Sequence, residues 1–164
     1  MAGLMLAACG SSGGSSAPQT SPPGAAASPA ASSPAAAPEG GAATVSLKSV
    51  KGIEDPALVG PDGKTVYLFE GDKNGKPTCA GACTQFWPPV TVSSMPSTGS
   101  GLDKSLLGTV KRADGSTQVT YAGHPLYYYS GDASPGTALG QGMSAFGAEW
   151  YVLNAKGSKI DEDS

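Results

Sequence analysis

Histidine is nearly absent from this 164-residue chain, in which His124 is the only one. A zinc site built on several histidines is therefore excluded by count. The 10 basic residues are scattered, so no basic patch that would bind nucleic acid is visible. The chain also lacks a Gly-x-Ser-x-Gly elbow, a dinucleotide-binding glycine turn and a phosphate loop. From these absences we expect a protein that is not an enzyme and does not bind nucleic acid.

Cysteine is scarce too, and the first of the 3 cysteines indicates where in the cell the protein is located. Cys9 follows Leu6-Ala-Ala, which is similar to the lipobox where a bacterial signal peptide is cut and the cysteine is acylated. No basic region or long apolar run precedes it, so a chance alanine-rich start remains the alternative. We interpret residues 1–9 as the remnant of a lipoprotein signal peptide, with Cys9 as the lipidation site.

The segment after Cys9 is dominated by Ala, Gly, Pro and Ser, and Glu39 is its only charge. Such a composition cannot bury enough apolar area to offset the entropy cost of ordering the backbone. We therefore predict a disordered tether at residues 10–44, with a mean span of roughly 30 Å. The folded domain is expected at residues 45–160, and residues 161–164 are expected to form an acidic, solvated tail.

The other two cysteines, Cys79 and Cys83, enclose only small residues. In an exported protein an isolated pair is most often a disulfide, and a ring this short contributes roughly 2 kcal/mol. The alternative is a copper site formed by Cys79, Cys83 and His124 with a methionine, Met95 or Met143, because copper favours thiolate, imidazole and thioether ligands. We expect His124 to lie too far from the cysteines for this, because it opens the second of two sequence repeats.

Those repeats are residues 63–72 and 123–132. Each runs from a glycine through an apolar, aromatic-rich stretch to an aspartate, and a tryptophan follows each copy. The repeated positions are Tyr67, Phe69, Asp72 and Trp87 in the first copy, and Tyr127, Tyr129, Asp132 and Trp150 in the second. An internal duplication constrains architecture better than a single motif does. We therefore predict one domain built from two repeats, at about 45–92 and 106–160.

Short runs rich in Val, Thr, Tyr and Leu alternate with Asp-Gly and Ala-Gly turns, which is typical of β-hairpins. We predict strands at 45–50, 57–59, 65–69, 90–92, 108–111, 117–121, 125–129 and 150–154, and a helical turn at 103–107 with Asp103 as its N-cap. The repeat strands are apolar on both faces, so they should be central. The expected fold is all-β, a small sandwich or closed barrel with pseudo-two-fold symmetry. We expect Leu139 and Phe146 to pack a glycine-rich loop at 132–147.

The repeated side chains allow two interpretations each. The aromatic residues Tyr67, Phe69, Tyr127 and Tyr129 either fill the core, which we favour, or form an exposed platform for a ligand. Asp72 and Asp132 either bind a cation or act as acid and base, or each caps a turn by accepting a bond from the backbone two residues on. We favour the cap, because a geometric requirement would recur in both copies.

The doubled Tyr-x-(Phe/Trp/Tyr)-x-x-Asp motif, the Cys79–Cys83 segment that runs into Phe86-Trp-Pro-Pro89, and residues 112–127 together resemble the bacterial secreted-repeat lipoproteins named for that motif. The resemblance covers residues 45–157 and implies no established activity or catalytic residues. We expect an exported monomer, anchored by lipid to the outer face of the cell membrane. Its function would be that of a binding or structural module whose partner is an envelope protein or a small ligand. The alternative is an envelope redox or copper-handling protein.

Overall fold

The structure is a computed structural model that describes residues 43–161. The lipidation site predicted at Cys9, nearly all of the predicted tether and residues 162–164 of the tail lie outside the described residues. The strands are β1 (Thr44–Lys48), β2 (Ala57–Val59), β3 (Tyr67–Phe69), β4 (Ser97–Thr98), β5 (Leu107–Lys111), β6 (Thr117–Tyr121), β7 (His124–Pro125), β8 (Met143–Ala145) and β9 (Ala148–Val152). Helix α1 (Cys83–Phe86) and 3₁₀ turns at Lys73–Gly75 and Lys104–Leu106 complete the described part.

The strands form three small sheets with the orders β2-β1-β4, β3-β9-β8 and β5-β6-β7. All pairs are antiparallel except β1 with β4, where Thr44 is aligned with Ser97. The predicted all-β class is confirmed, and the sheets stack like a sandwich. The closed barrel, which was the other expectation, is not formed by residues 43–161, because their strands divide among three separate sheets.

The two repeats meet at their central tyrosines. Tyr67 N–H donates to the carbonyl of Tyr127 at 2.8 Å, and Tyr127 N–H donates to the carbonyl of Tyr67 at 3.0 Å. This reciprocal exchange is what an antiparallel pair makes at a hydrogen-bonded position. The repeat segments therefore pair with each other around an axis of approximate two-fold symmetry that passes between the two tyrosines.

The backbone bonds around that axis are duplicated as well. Val66 donates to Leu58 in the first repeat as Leu126 donates to Val119 in the second, at 3.2 and 3.0 Å. Leu58 and Val119 donate in turn to the equivalent carbonyls of Leu153 and Val90, at 2.9 and 2.8 Å. Leu153 and Val90 each lie three residues after a repeat tryptophan. The segment that follows the tryptophan of one repeat therefore pairs with a strand of the other repeat.

The apolar side chains form two clusters. One is aromatic, with Tyr67, Phe69, Trp87, Tyr127 and Trp150 at its centre and both cysteines at its edge. The other is mainly aliphatic and includes Val45, Leu58, Val66, Val119, Leu126 and Leu153. Because the repeat strands alternate, Tyr67 and Phe69 face the aromatic cluster while Leu68 faces the aliphatic one. This confirms that the repeat strands are covered on both faces.

Several expected strands are shorter than the sequence predicts. The strand predicted at 125–129 ends at Pro125, because the residues after it bond to different segments. Leu126 donates to Val119, whereas Tyr128 donates to Pro88. The expected strand at 90–92 likewise reduces to one isolated bridge, between Thr91 and Gln118. The turn at Lys104–Leu106 is confirmed, with the Asp103 carboxylate accepting from Ser105 N–H at 2.8 Å. Among the described residues, no helix has the length and apolar content needed to cross a membrane.

Candidate functional site at the repeat junction

The repeated tyrosines and aspartates bond across the junction between the repeats. Tyr67 Oη donates to Asp132 Oδ2 at 2.5 Å, and Tyr127 Oη donates to Asp72 Oδ2 at 2.7 Å. Each tyrosine thus bonds with the aspartate of the other repeat. We call Tyr67–Asp132 the first Tyr–Asp pair and Tyr127–Asp72 the second.

The other carboxylate oxygen of each aspartate holds the loop that follows it. Asp72 Oδ1 accepts from Thr78 N–H and from Thr78 Oγ1, both at 2.7 Å. Asp132 Oδ1 accepts from Leu139 N–H at 2.8 Å. The expectation that each aspartate bonds the backbone two residues later was wrong, because the backbone donors lie six residues after Asp72 and seven residues after Asp132. The reason is that Oδ2 points inward to a tyrosine, which leaves Oδ1 over the loop.

Both pairs are buried, with Asp132 only 1% exposed and Asp72 8%. Burial raises the pKa of Tyr67 well above its ordinary value, and the bond to Asp132 raises it further. The pKa of Tyr127 is raised for the same reasons, burial first and then the bond to Asp72. Both phenols therefore remain protonated at neutral pH, so that each can donate to its carboxylate.

The aromatic rings of the core form one continuous set of contacts. Trp87 and Trp150 stack in parallel, with ring centroids 3.9 Å apart and an interplanar angle of 4°. Tyr67 meets the first tryptophan edge-on at 5.3 Å, and Tyr127 meets the second edge-on at 5.2 Å. The prediction that the repeat aromatics fill the core is therefore confirmed for these tyrosines and for Phe69, which stacks on Trp150 at 4.2 Å.

Tyr129 differs from the other repeat aromatics because it is only half-buried. Its ring contacts Trp87 with centroids 4.5 Å apart. It also folds back over Gly131, where an added Cβ would lie 2.4 Å from the Tyr129 ring. Gly71 has the same relation to Phe69, also at 2.4 Å. The glycine before each aspartate is thus required by the ring two residues earlier, and its repetition in the sequence was the signal for this role.

The predicted disulfide is confirmed, since Cys79 and Cys83 are joined with their Cα atoms 5.4 Å apart. A residue that sequence reasoning missed lies beside it. Arg112 is 8% exposed and donates from Nη2 to the carbonyl of Cys79 at 2.5 Å and from Nη1 to Gln118 Oε1 at 2.6 Å. Its guanidinium carbon lies 6.0 Å from the ring centroid of Tyr127. A lone arginine in a loop carries no sequence signal for this, because its partners come from distant segments.

His124 does not come together with the two cysteines in the described residues. It lines an open groove of about 400 Å³ together with Asp72, Asn74, Lys73 and neighbouring residues, and the cysteines are not part of that lining. Within residues 43–161, no three His, Cys, Asp or Glu side chains come together in a way that could hold a metal ion. The copper donor set considered above is therefore not assembled, and its two sulfurs are bonded to each other.

Two aromatic side chains lie on the surface next to each other. Phe86, at the end of α1, is 53% exposed, and Phe146, at the tip of the β8–β9 hairpin, is 49% exposed. Their ring centroids are 6.0 Å apart, and we call them the aromatic surface pair. The expectation that Phe146 and Leu139 pack the loop was wrong, since Leu139 is 65% exposed as well. Glycines shape that loop, and its backbone bonds, including the one to Asp132, hold it without either side chain.

Comparison with known proteins identifies the family. A family model named Lipoprotein_15, described as a secreted repeat of unknown function, matches residues 50–91 and again residues 108–154. The two matches coincide with the two structural repeats, and the chain belongs to this family. Searches of curated proteins and of solved structures gave no significant match. The family resemblance expected from the motifs is thereby confirmed, and so is export.

Proposed function

We propose that this protein is a lipid-anchored domain of the cell envelope that works as a binding module rather than as an enzyme. Membership in a secreted family supports the location, and so does the disulfide, which persists in oxidising compartments. The sequence Leu6-Ala-Ala-Cys9 supports the lipid, and the Ala/Pro/Ser/Gly-rich segment behind it is suited to a tether.

The binding proposal rests on one contrast: the polar side chains of the repeat motif are buried and hydrogen-bonded, whereas two aromatic side chains are exposed. The polar groups of the repeat motif are occupied inside the molecule, where each carboxylate bonds both a tyrosine and a loop. The aromatic surface pair, in contrast, lies exposed on a helix end and a hairpin tip. Exposed aromatic residues on elements that a rigid scaffold holds are the groups that most often anchor a partner.

The backbone of Phe146 supports the same proposal. Its φ is +58°, a left-handed conformation that costs roughly 1–2 kcal/mol for a residue other than Gly, Asn or Asp. The hairpin tip Phe146-Gly147 is a two-residue turn, for which Asn-Gly is the favoured sequence. A phenylalanine in such a turn costs backbone energy, and its ring, 49% exposed, contacts another exposed ring, that of Phe86, so a role at the surface accounts for it better than packing does.

The test of the binding surface is cross-linking in intact envelopes, followed by capture of the full chain. We expect Phe146→Asn, which keeps the turn and removes the ring, to lose the captured partner. Met95→Ser is the matched control, because Met95 is 68% exposed and lies outside the aromatic surface pair. Equal capture by the wild type and by Phe146→Asn would contradict the proposed surface.

The anchor has a separate test. When the chain is expressed behind a complete signal peptide, the wild type should partition into detergent, and Cys9→Ser should remain in the aqueous phase. Residues 43–161 have the same sequence in both forms, so a difference in partitioning reports on residue 9 alone. Equal partitioning of the two forms would rule out lipidation at Cys9 without affecting the binding proposal.

A further inference from the structure

The aromatic core connects the protein surface to both Tyr–Asp pairs through oxidisable rings alone. Beginning at the half-buried Tyr129, contacts pass to Trp87 at 4.5 Å and then to Trp150 at 3.9 Å. Trp87 also contacts the tyrosine of the first pair, and Trp150 contacts that of the second. Tyrosine and tryptophan are the side chains that lose one electron most readily, apart from free thiols, and the two cysteines of this core, Cys79 and Cys83, are already joined as a disulfide.

We propose that this aromatic core is a one-electron relay, which carries an oxidising equivalent from Tyr129 at the surface through the stacked tryptophans to the two Tyr–Asp pairs. The tryptophans Trp87 and Trp150 are the carriers, and the tyrosines of the pairs are the terminal sites. The parallel stack at 4° gives the two indoles close overlap of their π-systems, which favours sharing of an electron vacancy between them. This function goes beyond binding and does not depend on the lipid anchor.

The carboxylates provide the chemistry that an ordinary aromatic core lacks. A tyrosine that loses an electron becomes strongly acidic, so its proton must leave with the electron. In a buried site this requires a base within hydrogen-bond reach, and each terminal tyrosine already donates to one, at 2.5 and 2.7 Å. Because burial raises the pKa of both phenols, the phenol rather than the phenolate is the group that is oxidised.

A one-electron, outer-sphere oxidant of the metal-complex class takes one electron from the relay, and the oxidation state of its metal falls by one. The phenol O–H bond of a terminal tyrosine breaks, its proton moves to the aspartate Oδ2, and a neutral tyrosyl radical remains beside a neutral carboxylic acid. A one-electron reductant reverses the step, and the proton returns from the acid to the tyrosine.

The experiment is flash photolysis of the full chain with tris(bipyridine)ruthenium(II) and a cobalt(III) ammine as the electron acceptor. The photogenerated ruthenium(III) is the oxidant, and transient absorption with electron paramagnetic resonance separates tryptophanyl from tyrosyl radicals. In the wild type we expect the tryptophanyl signal to decay as a tyrosyl signal rises. In Tyr67→Phe/Tyr127→Phe the tryptophanyl signal should persist, and the tyrosyl signal attributable to the pairs should be lost.

Two further variants keep the test decisive. Trp87→Phe retains an aromatic ring but removes the indole that links Tyr129 to Trp150. Because Tyr129 also meets Tyr67 edge-on at 6.5 Å, we expect less tyrosyl radical in total, with the larger loss at the second pair, even if the double variant fails to fold. Tyr151→Phe is the matched control, because Tyr151 also donates to a carboxylate, Glu149 Oε2 at 2.8 Å, but makes none of the ring contacts of the relay. Tyrosyl yields that are the same in the wild type, the double variant and Trp87→Phe would overturn the proposal. A loss in Tyr151→Phe equal to that in the double variant would overturn it too.

Discussion

Replacing Tyr67 by phenylalanine should destabilise the domain more than removal of a single hydroxyl usually does. The hydroxyl donates to Asp132 Oδ2 at 2.5 Å and accepts from Gly140 N–H at 3.3 Å. A hydrogen bond to a charged group contributes about 1.5–3 kcal/mol, and a neutral one about 0.5–1.5 kcal/mol. Because Asp132 is 1% exposed, water does not readily replace the lost donor. We therefore expect a loss of about 2–4 kcal/mol in the free energy of unfolding.

The assay is urea unfolding at neutral pH, followed by tryptophan fluorescence, with the m-value checked for each variant. Tyr151→Phe is the matched control, since it removes a hydroxyl bond to Glu149, an exposed residue, and should cost less than about 1 kcal/mol. If Tyr67→Phe and Tyr151→Phe unfold at the same urea concentration, the buried pair does not stabilise the junction and the reasoning is wrong.

Three other predictions concern the same domain. The double variant Cys79→Ser/Cys83→Ser should fold and lose about 2 kcal/mol or less in urea unfolding, with no change in copper binding by calorimetry, because the closed loop is short. Gly71→Ala should cost about 1–3 kcal/mol and Gly131→Ala a similar amount, since each new Cβ would overlap a ring, and equal stability to the wild type would contradict that overlap. Burial raises the pKa of Tyr67 and of Tyr127 above the unfolded value of about 10, so the contribution of these two phenols to stability should be constant below about pH 10 and be lost above it, and an unchanged urea midpoint at higher pH would contradict their burial.

The sequence contains enough to predict the aromatic core and the burial of both faces of the repeat strands, whereas their expected central position is wrong, since β3 and β7 stand at the ends of their sheet orders. Tyr67 and Tyr127 occupy equivalent places in duplicated segments that are apolar on both faces. A strand of this kind removes both faces from water only when it is covered on each side, and both tyrosines are buried. The disulfide was predictable for a similar reason, since two cysteines four residues apart in an exported chain have few other partners. In each case the information is local.

The cross-repeat bonding was not predictable, because it depends on how the two repeats are placed against each other. From the sequence, Asp72 is nearest to its own turn, and a bond to the backbone two residues on is the ordinary local solution. The antiparallel bridge between Tyr67 and Tyr127 instead brings each tyrosine to the aspartate of the other repeat. The buried position of Arg112 has the same origin, since its acceptors belong to segments that only the fold brings near.

The same placement explains which strands were lost or missed. The segment 125–129 has the composition of a strand, but its bonds go to three different partners, so no continuous ladder forms. The sequences of strands β4 and β8 show no clear alternation of apolar and polar residues. These strands form because each pairs with a neighbouring strand, β4 with β1 and β8 with β9. Pairing of this kind is decided by tertiary context rather than by local propensity.

The reciprocal pairing of the repeats is tested most directly by two double-mutant cycles in urea unfolding. One cycle combines Tyr67→Phe with Asp132→Ala, and the other combines Tyr67→Phe with Asp72→Ala, the aspartate of the same repeat. Residues that share a bond couple by about 0.5–3 kcal/mol, whereas residues without a shared partner add to within about 0.5 kcal/mol. We predict a coupling above about 1 kcal/mol in the first cycle and additivity in the second. Coupling to Asp72 with additivity at Asp132 would contradict the account.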